Sequence, residues 1–111
     1  MSRMMLSALA SLLMTGAALA DPIEGSWKTE AGPTAAIAPC GGSFCVVMKT
    51  GKYVGKQIGK FTASGDGYTG TMTDPQNDKT YTGSASLKGS SLRLTGCALK
   101  ILCKSQTWSR M

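Results

Sequence analysis

Residues 43–50 alternate along the chain: Phe44, Val46 and Met48 fall on one side and Cys45 and Val47 on the other, the period of an extended strand. Residues 91–97 repeat the pattern with Leu92 and Leu94 on one face, and residues 103–110 set Trp108 and Arg110 on one side. Residues 68–73 and 79–87 carry Thr69, Thr71, Thr73, Thr80 and Thr82, whose β-branched side chains suit the outer face of a sheet. Residues 23–28, with Trp27, and 34–38, with Ile37 inward, give two more short strands. Turn residues cut the chain at Gly32-Pro33, at Pro39 to Gly42, at Gly65-Asp66-Gly67, at Asp74 to Asp78 and at Gly89-Ser90.

The segment GKYVGKQIGKF, residues 51–61, places Lys52, Lys56 and Lys60 four apart. A helix would present them as a stripe, but its three glycines would each cost about 1 kcal/mol relative to alanine. A strand also puts all three on one face, as a charged edge that discourages pairing with other sheets. The segment is therefore expected to be a strand. That makes about eight short strands and no helix: an all-β fold, a small antiparallel up-and-down barrel.

Residues 1–20 stand apart. Arg3, an apolar run from Met4 to Met14 and the small-residue exit Ala18-Leu19-Ala20 describe a signal peptide cleaved before Asp21. The run is too short and too interrupted, at Thr15 and Gly16, for a membrane span of roughly 20 apolar residues. The expected product is a periplasmic or secreted domain over residues 21–111, with no transmembrane segment.

Four cysteines follow the leader. An even count in a small exported domain indicates disulfides, and four or five intervening residues are wide of the usual zinc-ligand spacings. Of three connectivities, Cys40 with Cys45 and Cys97 with Cys103 is favoured, because each close pair flanks a tight reversal. A six-residue loop closed this way is worth about 2 kcal/mol, against about 4 for a bridge spanning some sixty residues.

Twelve Lys and Arg face six Asp and Glu; without Arg3 the balance is +5. Such a charge attracts acidic polymers and lipid head groups; no nucleic-acid partner is expected of an exported chain, and the plainest reading is a solvated, monomeric surface. The chain contains no histidine, hence no imidazole base and none of the commonest metal ligands. Asp66, Asp74 and Asp78 fall in turns, and Asp21, Glu24 and Glu30 cluster near the start with no apolar setting to raise a pKa. Tyr53, Tyr68 and Tyr81 have no catalytic partner. Neither an enzyme nor a cofactor is expected. Neither Gly-Lys pair of residues 51–61 is followed by Ser or Thr, so the segment is not a phosphate loop.

Two resemblances follow from these residues. Gly25-x-Trp27 on the first strand, with Arg110 on the last, resembles the calycin superfamily of lipocalin-like barrels. That resemblance implies an arginine lying across the tryptophan to seal one barrel end, with Gly25, Trp27, Trp108 and Arg110 as closure residues. A guanidinium over an indole is a favourable contact. More narrowly, Gly25-x-Trp27, Cys40 and Cys45, Tyr68-x-Gly70 before Thr73-Asp74-Pro75, Lys79-Thr80-Tyr81, Gly96-Cys97, Cys103 and Trp108-Ser109-Arg110 resemble an uncharacterised bacterial envelope family, domain of unknown function 2147. The resemblance covers nearly all of residues 21–111, with Val46 after the second cysteine and a short middle segment as departures. It implies a lipocalin-like barrel and carries over no catalytic residue.

Two non-enzymatic roles fit. A barrel of eight strands is either filled by its side chains or holds one small ligand; Phe44, Met48, Tyr68, Met72, Tyr81 and Leu94, with Phe61 and Trp108, are the inward candidates to line a site for a small apolar or amphipathic molecule. The alternative is an envelope accessory or protein-interaction module, such as a protease-inhibitor-like barrel, with Asp21-Pro22 as a free arm. Inhibition of lysozyme fits less well, since lysozymes are generally basic and would be repelled. An apolar cavity separates the two roles.

Overall fold

The computed structural model describes residues 21–98 and 102–111. The leader expected over residues 1–20, and residues 99–101 of the reversal between Cys97 and Cys103, lie outside the described residues. Eight antiparallel strands follow one another around a closed barrel: β1 (Gly25–Lys28), β2 (Thr34–Cys40), β3 (Ser43–Met48), β4 (Gln57–Ser64), β5 (Gly67–Asp74), β6 (Lys79–Lys88), β7 (Ser91–Ala98) and β8 (Leu102–Arg110). Each strand pairs with the next, and β8 returns to β1 through Trp27 opposite Arg110 and Lys28 opposite Ser109. No helix among the described residues is long and apolar enough to cross a membrane.

The alternation of the sequence becomes the inside and outside of the barrel. Trp27, Ala35, Ile37, Val46, Phe61, Leu92, Leu94 and Trp108 are buried within it, while Thr69, Thr71, Thr82, Ser84 and Ser86 are exposed on its outer wall. A lipid-facing barrel wall would instead carry an outward apolar band. Ile58 and Gly59 are consecutive yet both buried, because the pairing of β3 with β4 shifts register between Val46 and Val47; a bulge of this kind lets neighbouring residues face the same side. The interior is narrow enough that large side chains need small ones opposite. A Cβ on Gly83 would stand 3.3 Å from Met72 Cγ and 3.5 Å from Phe61 Cε1.

The up-and-down order gives the barrel two unlike ends. The tight turns between β2 and β3, β4 and β5, and β6 and β7 gather at one end, together with residues 21–24 and Arg110. The longer connections, residues 29–33, 49–56 and 75–78, surround the other end, which we call the mouth. Each end has one disulfide: Cys40–Cys45 spans the β2–β3 hairpin at the first, and Cys97–Cys103 joins directly opposed residues of β7 and β8 at the mouth.

The strand expected over residues 51–61 begins only at Gln57. Gly51 and Gly55 both take φ of +88°, a conformation open to glycine and costly for other residues. The loop closes on itself through Gly55 N–H to Met48 O at 2.7 Å and Lys56 N–H to Tyr53 O at 3.0 Å. Lys52 and Lys56 thus belong to a mouth loop and share no face with Lys60, which lies outward on β4 between the buried Gly59 and Phe61.

Replacing both Cys97 and Cys103 by alanine should lower stability by about 2 kcal/mol. For a domain this small that is a fall of roughly 10 °C in Tm, measurable by circular dichroism.

Candidate functional site

The end opposite the mouth is shut by a short knot of chain. Ile23 is fully buried there although it precedes β1. Glu24 N–H donates to Asp21 O at 2.9 Å, Ile23 N–H donates to Asp21 Oδ1 at 3.0 Å, and Asp21 N–H donates to Glu24 Oε2 at 3.1 Å. The Tyr68 hydroxyl reaches from β5 to donate to Asp21 Oδ1. Asp21-Pro22, expected as a free arm, is therefore held in place: the Asp21 carboxylate accepts two bonds and Arg110 donates to Pro22 O. Residues 23–24, expected to open the first strand, form part of the same knot, and β1 starts at Gly25.

Arg110 joins this knot to the last strand. Its guanidinium carbon stands 4.1 Å over the Trp27 ring, its Nη1 donates to Glu24 O at 2.7 Å and its Nη2 donates to Pro22 O. Trp27 Nε1 donates to Ile23 O at 3.0 Å, so the indole is bonded at its edge and covered on its face. Gly25 makes room for the arginine. Its φ is +128°, and a Cβ there would stand 2.8 Å from Arg110 Nη1.

Tyr68 and Phe44 pack edge to face beside this seal, their ring centroids 5.9 Å apart. Both were candidates to line a ligand site; both fill the closed end instead. Each begins its strand at that end, so a side chain that points inward there meets the plug. Burial, reinforced by the bond to the Asp21 carboxylate, pushes the Tyr68 hydroxyl up to about 12.

At the mouth the interior is open. A cavity of 380 Å³ descends from the loops, with Met48, Met72, Tyr81, Leu94 and Trp108 on its walls and floor. Tyr53 and Pro33 border it from the loops above. Polar residues line it as well: besides Thr29, Thr73, Asp74 and Gln76 there are two of β8, Lys104 and Gln106. They sit opposite Gly96 and Leu94 of β7 and share the inward side of β8 with Trp108. Sequence reading did not single them out, although the parity of Trp108 and Arg110 places residues 104 and 106 on the same face. Gln106 Oε1 accepts from Trp108 Nε1 at 2.9 Å, which leaves the amide NH₂ free to donate. Lys104 is exposed and makes no ion pair among the described residues.

The three carboxylates at the mouth each make a local bond. Glu30 Oε1 accepts from Thr107 N–H at 2.8 Å, Asp74 Oδ1 accepts from Gln76 N–H at 2.9 Å, and Asp78 pairs with Lys56 at 2.8 Å. Among the described residues no three of His, Cys, Asp or Glu come together as a metal-holding group. The Lys104 ammonium, the amides of Gln106 and Gln76 and the Tyr81 hydroxyl are thus the cavity's uncommitted donors among the described residues, on an otherwise largely apolar surface.

The model of a bacterial family, described as an uncharacterised protein conserved in bacteria (DUF2147), matches residues 47–110. The match takes in the end of β3 and everything through β8, and leaves out β1, β2 and the Cys40–Cys45 hairpin, a narrower reach than the motif resemblance implied. No curated protein and no solved structure matches the chain.

Two outcomes test the seal. Arg110→Met leaves the Pro22 and Glu24 carbonyls without their charged donor and should cost about 2–3 kcal/mol, and Gly25→Ala should be at least as damaging, both read by urea unfolding. Tyr68 holds its proton more tightly in the folded protein than in the unfolded chain, so its contribution is complete below pH 10 and lost as pH rises through about 12. Thermal melts of wild type should therefore fall across that window more steeply than those of Tyr68→Phe.

Proposed function

The chain belongs to the bacterial DUF2147 family, and we propose that it is a non-enzymatic, exported, lipocalin-like barrel that holds one small apolar or amphipathic ligand in its mouth cavity. The observation that carries this reading is the cavity itself: 380 Å³ falls within the range of about 300–1,000 Å³ of small-molecule sites. A barrel acting only through its surface has no need of one. At ~30 Å³ per water the space equals about a dozen water molecules, which suits a ligand of about a dozen non-hydrogen atoms. The walls favour an apolar tail against Leu94, Met72 and Trp108. The donors of Lys104 and Gln106 favour a head group that accepts hydrogen bonds, a carboxylate or a phosphate, nearer the rim.

Export is supported by the leader-like composition of residues 1–20 and by the two disulfides, which form and persist in oxidising compartments. The lipocalin-like placement is supported by the Arg110–Trp27 seal between first and last strands. The non-enzymatic reading is supported by the lack of histidine and by mouth carboxylates that each bond to a neighbouring backbone N–H or lysine.

The test is native mass spectrometry of the oxidised protein from its own envelope, before and after organic extraction. An extra mass that extraction removes is expected. Decanoate added to the extracted protein should quench Trp108 fluorescence, and Lys104→Glu should weaken decanoate binding roughly tenfold, the loss of one charge-assisted bond, with Tm unchanged. A bare mass together with no decanoate response would overturn the reading.

A further inference from the structure

The charges of the barrel are divided between its ends. The mouth carries Lys49, Lys52, Lys56, Lys79 and Lys104 against Glu30, Asp74 and Asp78, a net +2 among the described residues. The sealed half carries Lys88, Arg93 and Arg110 against Asp21, Glu24 and Asp66 and is neutral, with Lys60 midway along β4 and Lys28 opposite Ser109 between the two ends. Four of the five mouth lysines are exposed and the side chain of the fifth, Lys56, is 40% exposed. Among the mouth acids, Asp78 is paired with Lys56, so these two charges offset one another, while Glu30 and Asp74 accept from backbone N–H groups and keep their charge.

One apolar side chain breaks this basic rim. Val54 is 62% exposed and, with Met111, one of two exposed large hydrophobic side chains among the described residues. It stands at the tip of the 49–56 loop between Lys52 and Lys56, and Tyr53 next to it packs against the core. Bonds from Gly55 N–H to Met48 O and Lys56 N–H to Tyr53 O fix the loop, so the tip is presented rather than loosely tethered.

We propose that the mouth docks on an anionic lipid surface, with Val54 entering among the head groups and the rim lysines lying against their phosphates. Basic residues beside a membrane are drawn to anionic lipid, and an apolar tip flanked by lysines adds shallow insertion at the boundary with the acyl chains. Nucleic acid fits the rim less well. Single strands bind on exposed aromatic platforms, whereas Trp27 and Trp108 are buried and Tyr53 half-buried. Docking this way would turn the cavity toward the bilayer, and it does not depend on the cavity being filled.

The experiment is co-sedimentation of the purified, oxidised protein with vesicles of phosphatidylcholine alone and of phosphatidylcholine mixed equally with phosphatidylglycerol. Partition into the anionic vesicles only is expected, weakening as salt is raised. Lys52→Gln and Lys49→Gln should each lower it about fivefold, Val54→Asp about tenfold, and Lys88→Gln at the other end should leave it unchanged. Thermal melts would verify that each variant is folded, which the exposure of all four side chains favours. Absence of partition, equal partition into neutral vesicles, or a Lys88→Gln loss as large as that of Lys52→Gln would overturn the proposal. Decanoate binding in solution reports separately on the cavity, so failure of either idea is distinguishable from failure of the other.

Discussion

The structure depends on one side chain meeting two demands at once. Arg110 must donate to the carbonyls of residues 22 and 24 and must also cover the face of Trp27. A guanidinium can do both because it is planar, donates in its own plane and stacks through its face. A lysine could give the charge but not the two in-plane bonds with the stacked face. The neighbouring residues are arranged around this: Gly25 leaves the space, Ile23 fills the floor, and Asp21, with Tyr68 holding it from β5, pins the chain that supplies the carbonyls.

Sealing one end settles what the other can be. A barrel of eight short strands has little interior, and Trp27, Phe61, Tyr68 and Ile23 occupy the half nearest the plug. Above them the large inward residues are interrupted by Gly83 and Gly96, and the connecting loops stand around the opening rather than across it. Here β8 changes character along its length. Its inward positions pass from Arg110 at the seal, through Trp108 in the floor, to Gln106 and Lys104 in the open cavity. One strand thus contributes the closure, the apolar base and the polar wall.

Much of this was legible in the chain. The alternation of residues 43–48 and 91–97, the turn residues between strands, and the reversals flanked by each cysteine pair led to eight strands, a barrel and both disulfides. Periodicity says whether a side chain points inward but not how far along the barrel axis it sits. Phe44 and Tyr68 therefore looked equivalent to Met48 and Met72, although four residues on the same strand separate the plug from the cavity. The lysine-glycine segment misled for a related reason: even spacing satisfies a strand face, and only the positive φ of Gly51 and Gly55 and the bonds across them reveal a loop. Ile23 looks like the start of a strand because a single apolar residue before Gly25 carries no signal that it turns inward as a plug.

The pairing of β8 with β1 has a consequence for how the chain reaches this structure. Every other strand contact is a hairpin between neighbours, the kind that forms in about 1–10 μs, whereas the bond from Arg110 to Glu24 joins positions 86 apart. Its ordering entropy must be met before the seal returns anything. Until then the meander is an open sheet with two bare edges, and those edges are the strands that recognise each other. Between two copies the same recognition would link β8 of one to β1 of the next. Crowding during synthesis or refolding should therefore produce strand-exchanged chains of molecules, made from the same contact that, within one molecule, completes the barrel.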